Sequence, residues 1–364
     1  MLRIVLLPLL ALLIPQQVLA CTTFLLENPT ERVFAKSYDW PNSRGHLLVN
    51  RLGAQKRALI LPGQGTPAQW QSLHASATFN QYGREFPNGG MNDAGLMVEI
   101  LWLDVTQYAK ADEKPAINAL QWVQFQLDQF STTAEVLNNA PNLRIAQMAG
   151  GKTHYMVCDK GGDCATVEYL RGKLSITTGE QLKAKALTNN TCHESQQNLT
   201  KFQAFGGQSP LPNDVSSLAR HARAAAQTRQ VKAEMPMVAQ AFAALDNVRN
   251  PALTKWQIVY QPATAKISWR TATEPAIKTL DLGKLGGRCD KPVLGIDIDA
   301  PNEGDVTALL RPFALASNRA LVEHSFALLH ANLSAALVEA VATAPDKMPC
   351  DANPAGSHAA PPAK

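Results

Sequence analysis

The chain is poor in charge and in charge imbalance. Asp, Glu, Lys and Arg make up 18% of its 364 residues, and 34 basic against 30 acidic side chains leave a formal net charge of +4. No Lys/Arg cluster interleaved with aromatic residues occurs, so the electrostatic footprint of a nucleic-acid partner is missing. Long apolar runs are scarce too. The run at residues 4–14 falls short of the roughly 20 residues that a membrane span needs, and no other candidate follows, which argues against stable membrane insertion. Internal repeats are missing, which excludes a solenoid or propeller. The eight histidines fall in no arrangement that resembles the partner set of a catalytic triad.

What is present begins with MLRIVLLPLLALLIPQQVLA: one charge at Arg3, a short apolar stretch, Pro15, and the small residue Ala20 just before Cys21. That order is the pattern of a secretory signal rather than of a spanning helix. It predicts a signal peptide over residues 1–20, a periplasmic or secreted protein, and a mature chain whose first residue is Cys21. Residues 21–350 read as one broad domain. Residues 351–364, DANPAGSHAAPPAK, are rich in Pro and Ala without apolar periodicity and read as a disordered tail.

An exported chain meets an oxidising compartment, so its six cysteines are expected to pair unless something keeps a thiol free. Cys158 and Cys164 flank DKGGD, the form of a tight loop clipped by a disulfide. Cys289 with Cys350 would tie the base of the tail to the body. Cys21 and Cys192 are then left over, either free or joined to each other.

Two strand-like runs, TTFLLEN and RVFAKSYDW, flank a turn at Pro29-Thr30 and read as a hairpin that starts at Cys21. Further strands are expected at residues 57–61 and 96–103, in HYMVC, ATVEYL and KLSIT, and in a hairpin of WQIVY with KISWR. The run ALTNN reads as a strand end opening into a polar loop. Ile117, Leu120, Val123, Leu127 and Phe130 recur at helical spacing, and helices are also expected at 133–137, through RHARAAAQ, and from Met235-Pro236 to Leu245. Strands and helices come in blocks rather than in regular alternation, which favours antiparallel sheets covered by helices.

An N-terminal cysteine joins a soft nucleophile to an α-amine whose reference pKa is near 8, low enough to act as its base. Two other readings of Cys21 stand beside this one. VLAC resembles a lipobox, which would make the chain a lipid-anchored binding protein with its amine blocked. A structural or disulfide-bonded cysteine is the third.

The pattern CTTF, then Asp39 in AKSYDW, GGMNDAGLMVE, LTNN and LPNDVSSLARHARAA, in this order over nearly the whole mature chain, resembles the choloylglycine hydrolase family. That family comprises bile salt hydrolases and penicillin V acylases of the N-terminal nucleophile superfamily. The resemblance implies an α+β fold, a four-layer αββα sandwich of two antiparallel sheets, and a cysteine amidase that needs no cofactor or metal. Its partner would be a small-molecule acyl amide, and its assembly a homotetramer. Residue by residue, it implies Cys21 as nucleophile, Asp39 as the carboxylate that holds the α-amine, Asn189 as oxyanion donor and Arg220 beside the nucleophile. Lys36 stands where many members have an arginine, keeping the charge but losing the planar fork. Trp102 stands where bile salt hydrolases have asparagine and Gram-positive acylases tyrosine, so its indole N–H is one substitute donor for the oxyanion. With Trp40 it is similar to the two-tryptophan pocket of Gram-negative penicillin V acylases, which also cleave N-acyl homoserine lactones. A bile-salt-like or other acyl amide is the alternative substrate.

Overall fold

The computed structural model describes residues 21–147, 151–232, 234–328 and 334–351. The expected signal peptide and residues 352–364 of the expected tail lie outside the described residues. The described chain starts at Cys21, which leads directly into the strand Thr22–Glu27. This strand pairs antiparallel with Arg32–Asp39. The reversal between them is an Asx turn: the Asn28 side-chain oxygen accepts from the backbone N–H groups of Thr30 and Glu31, at 2.9 and 2.7 Å.

Among the described residues the hairpin lies within a seven-stranded sheet. Its order is Ala186–Leu187, Thr22–Glu27, Arg32–Asp39, Thr254–Gln261, Lys266–Thr271, Lys278–Asp281 and Gly304–Asp305. All neighbours are antiparallel except the last pair. A nine-stranded antiparallel sheet faces it, with Met97–Trp102 and Thr153–Cys158 adjacent near its middle.

Side-chain alternation sorts the core into layers. Leu25, Phe34, Trp256, Tyr260 and Trp269 of the first sheet meet Leu47, Phe79, Met97, Leu101 and Met156 of the second. On the outer face of the first sheet, Phe24, Leu26, Val33 and Ala35 pack with Ala224, Met237, Ala241 and Leu245 from the helices Ser217–Thr228 and Met237–Asn247. On the outer face of the second, Val98, Ile100, Tyr155 and Val157 pack with Trp122, Val123, Leu127 and Val136 from Ala119–Gln129 and Thr133–Asn139. Helix, sheet, sheet, helix is the expected αββα order. Among the described residues no helix is long and apolar enough to cross a membrane.

Both expected disulfides are formed, Cys158–Cys164 across adjacent strands and Cys289–Cys350. Cys21 and Cys192 are free and buried, so they are not joined to each other. One expected strand fails. Residues 57–61 leave the ladder after Arg57, the last residue of the strand Gln55–Arg57. The reason is capture by a helix start: Leu59 donates its N–H to Gln121 Oε1 at 2.6 Å and accepts from Asn118 Nδ2 at 2.9 Å. The helix Cys192–Leu199 was not expected, although Thr191 and Glu194 form a capping box that the sequence already spells.

His221, on the helix behind the first sheet, is 1% exposed and its Nε2 lies 3.3 Å from the Ala186 carbonyl. Burial pushes its pKa down to about 4, with the Arg220 charge adding to the effect. The folded value lies below the unfolded one, so below about pH 6.5 the unfolded chain takes up a proton that the native chain refuses. Stability is therefore complete above that pH and lost as pH falls toward 4, by an amount on the order of 3 kcal/mol from this one site. Denaturant titrations at pH 7 and pH 4.5 should show a smaller acid loss in His221→Gln than in the unaltered chain.

Candidate active site

The hairpin register sets Thr22 opposite Ser37 and brings Cys21 to the end of the neighbouring strand. There Cys21 Sγ lies 3.9 Å from the backbone oxygen of Asp39. The thiol is 3% exposed. Burial holds its pKa above the ordinary value and the Asp39 charge adds to this, while Lys36 and Arg220 oppose it. A thiol kept protonated in this way needs a base before it can attack.

Asp39 is fully buried. Its Oδ1 accepts from Ser37 Oγ at 2.7 Å and from Thr254 Oγ1 at 2.6 Å. Its Oδ2 is buried with no hydrogen-bond partner among the described residues, and Arg220 Nη1 is 3.9 Å away. Desolvation raises this carboxyl's pKa, and Arg220, Thr254 and Ser37 pull it back.

Arg220 knots three elements together. From the helix Ser217–Thr228 its Nη1 donates to the Cys21 carbonyl and to Thr22 Oγ1, both at 2.6 Å, and its Nη2 donates to Asn189 Oδ1 at 2.8 Å. Arg223, one turn on, is spent on the carbonyls of Pro212, Asp214 and Asn247. Asn189 is fixed at both ends, since its Nδ2 donates to the Trp102 carbonyl at 2.9 Å and its backbone N–H to Ser217 Oγ at 2.9 Å. That leaves one Nδ2 hydrogen without a partner in this arrangement.

Cys21, Asp39, Asn189 and Arg220 thus form one connected set. Lys36 stands behind it. Its Nζ donates to the Ile100 carbonyl at 2.7 Å and pairs with Glu99 at 3.1 Å, both on the opposite sheet. Trp40 and Trp102 face each other with ring centroids 6.0 Å apart and planes tilted by 48°. The expected indole donor is corrected by the structure: Trp102 Nε1 gives its hydrogen to Asp104 Oδ1 at 2.6 Å, a carboxylate two residues on. Beyond Trp102 lies a cavity of about 570 Å³ whose lining includes Asp104, Gln107, Tyr108, Gln147 and Lys152.

Three residues that sequence reasoning passed over belong to this region. Tyr82 is buried, and burial raises the pKa of its phenol. His154, fully buried, joins Glu168 at 3.0 Å to the carbonyl of Thr188 at 2.7 Å, and so braces the residue before Asn189. Glu99 is the third. A capping or turn motif would have flagged none of them; a Glu inside the apolar run MVEILWL was the one visible signal.

Two antiparallel sheets layered between helices, with a buried cysteine opening the first strand of the inner hairpin, define an N-terminal nucleophile amide hydrolase fold. Residues 21–257 match the model of the linear amide C-N hydrolases, choloylglycine hydrolase family, and the chain belongs to that family. It is an enzyme of the linear-amide hydrolase kind. A penicillin V acylase of Pectobacterium atrosepticum is 26% identical over 345 residues, covering 81% of this chain and 90% of its own. The solved penicillin V acylase of Agrobacterium tumefaciens superimposes with a TM-score of 0.69 at 25% identity, over 81% of this chain and 98% of that one. A conjugated bile acid hydrolase of Clostridium perfringens, in variant form, shares the fold with a TM-score of 0.61 at 18% identity, over 81% and 96%. Among the described residues no group of three or more His, Cys, Asp or Glu is placed to hold a metal ion.

Proposed function

We propose that this enzyme removes the acyl group of penicillin V-like amides or N-acyl homoserine lactones through a thioester on Cys21. The observation that carries the mechanism is Asp39 Oδ2, a buried carboxylate oxygen beside Cys21 with no hydrogen-bond partner among the described residues. Removal of residues 1–20 on export to the periplasm or outside the cell would free the Cys21 α-amine, and an ammonium at that place satisfies the orphaned oxygen. Unprotonated, the same amine takes the proton from Sγ as the thiol attacks the amide carbon, and returns it to the leaving amine. The remaining Nδ2 hydrogen of Asn189 stabilises the oxyanion. Water then hydrolyses the thioester by the same route, with the amine again as base. Arg220 holds the Cys21 carbonyl and Asn189 in register throughout.

The acyl preference rests on the Trp40–Trp102 pair, two indoles that form an apolar slot for a phenoxyacetyl group or a fatty chain. Both solved or curated acylases named above are penicillin V acylases, which supports the same choice. A hydrolysis panel of penicillin V, N-acyl homoserine lactones of graded length and a glycine-conjugated bile acid tests it; turnover of the bile acid alone would overturn it. Trp102→Ala should raise KM for phenoxyacetyl and long-chain substrates by about tenfold, the weight of one large apolar contact, while Cys21 alkylation proceeds at an unchanged rate. Equal loss across the panel would move Trp102 from the slot to the core. A homotetramer, implied by the sequence resemblance, is checked by light scattering.

A further inference from the structure

The buried ion pair behind the nucleophile has a structure of its own. Lys36 and Glu99 are 0% and 1% exposed and come from opposite sheets. Glu99 accepts from the Tyr260 hydroxyl at 2.6 Å through Oε1 and pairs with Lys36 through Oε2 at 3.1 Å. Room for it is made by Gly89, directly opposite on the neighbouring strand, where an added Cβ would come within 2.3 Å of the carboxylate. Three residues of two sheets are therefore arranged around one carboxylate. Two buried charges are costly to keep unless each is paired and hydrogen-bonded, and here Lys36 has Glu99 and the Ile100 carbonyl while Glu99 has Lys36 and Tyr260.

We propose that Glu99 is a positioning residue for the reaction: it anchors and charge-balances the Lys36 ammonium so that a cation stands behind the Cys21 thiol. The proposal rests on the reading of Cys21 as the nucleophile. The charged and titratable groups facing the thiol are Lys36 and Asp39 from the adjacent strand and Arg220 from the covering helix, with the phenols of Tyr38 and Tyr82 nearby. Lys36 in turn faces Glu99, with Tyr260 behind it. Arg220 is shared among the Cys21 carbonyl, Thr22 and Asn189, and Asp39 lies 3.9 Å from it. Lys36 is thus the cation in the set whose counter-charge lies away from the thiol, on the opposite sheet. Lys36 lies opposite Thr23 on the adjacent strand, two residues from Cys21 and on the same inter-sheet face, and its charge, with that of Arg220, opposes the upward push of burial on the thiol.

Glu99→Gln keeps the shape and removes the carboxylate paired with the buried Lys36 ammonium, leaving only the more distant Asp39, which also faces Arg220. Such an ammonium gives up its proton rather than remain charged. The thiol then loses its cation, as it does in Lys36→Met. The pH dependence of iodoacetamide labelling at Cys21, read by peptide mass so that Cys192 is counted separately, should move up by about one unit in both single variants. Labelling at pH 7 should fall about tenfold, and the Lys36→Met/Glu99→Gln double variant should match either single one rather than add to it. Lys36→Arg in the Glu99→Gln background should bring the profile back, because a guanidinium stays charged without a carboxylate. A merely structural Glu99 would lower stability and leave the labelling profile of the folded fraction in place, which would overturn the proposal. If Glu99→Gln does not fold, the charge-free double variant decides: a profile equal to that of the unaltered enzyme contradicts the inference. Labelling reads the thiol without turnover, so its outcome stays distinct from failure of the nucleophile assignment, which activity of Cys21→Ala would reveal.

Discussion

Cys21→Ala should lose amide hydrolysis by a factor on the order of 10⁴ or more, the scale of removing a covalent nucleophile, while its unfolding transition stays close to that of the unaltered enzyme. Chemically, among the described residues Cys21 carries the free thiol beside Asp39: Cys192 opens its own helix three residues past Asn189, where its sulfur accepts from Gln196. Structurally, the thiol makes one long hydrogen bond, 3.9 Å to the Asp39 carbonyl, and Ala at this place removes a single buried sulfur from the core. Cys21→Ser separates the two further, since the hydroxyl fills the same space with a far weaker nucleophile. Turnover measured beside a denaturation curve checks both halves at once.

Asn189→Ala should lower kcat by about 10² to 10³ with a smaller change in KM, because an oxyanion donor acts in the transition state and little in the ground state. The geometry adds a second cost. Arg220 Nη2 loses its acceptor and the Trp102 carbonyl its donor, and unsatisfied groups of this kind cost about 1–3 kcal/mol each. Asn189→Asp distinguishes the roles. It keeps an acceptor for Arg220 but removes the donor, so it should recover stability without recovering kcat. Recovery of kcat in that variant would remove Asn189 from the oxyanion site.

Much of the fold was legible because its signals are local. The hairpin from Cys21 follows from two apolar runs around a turn at Pro29-Thr30, and the pairing of Cys158 with Cys164 from the tight loop DKGGD between them. The layer order came from strands and helices arriving in blocks, and from the motif resemblance. The strand at 57–61 was misread because its hydrogen bonds go to Asn118 and Gln121, side chains some sixty residues away that no local pattern announces. The site divides in the same way. Cys21, Asp39, Asn189 and Arg220 sit in motifs and were named by them; what ties them together, an arginine reaching the Cys21 carbonyl and an asparagine amide reaching the Trp102 carbonyl, is long-range. His154 was invisible, and Glu99 showed only as a charge inside an apolar run, for a related reason. A buried charge is recognised only by its partner, and both partners, Lys36 and Glu168, lie on other strands. The role of the Trp102 indole turned on Asp104, a neighbour whose side-chain direction the sequence does not state.

The central claim is that Cys21 becomes the first residue and carries the acyl group. Mass analysis of the exported enzyme, before and after acid quenching during turnover of penicillin V, tests it most directly. The account predicts a chain that begins at an unmodified Cys21 and, in the quenched sample, an N-terminal peptide heavier by one phenoxyacetyl group. An active enzyme that retains residues ahead of Cys21, or that carries lipid on it, would contradict the account.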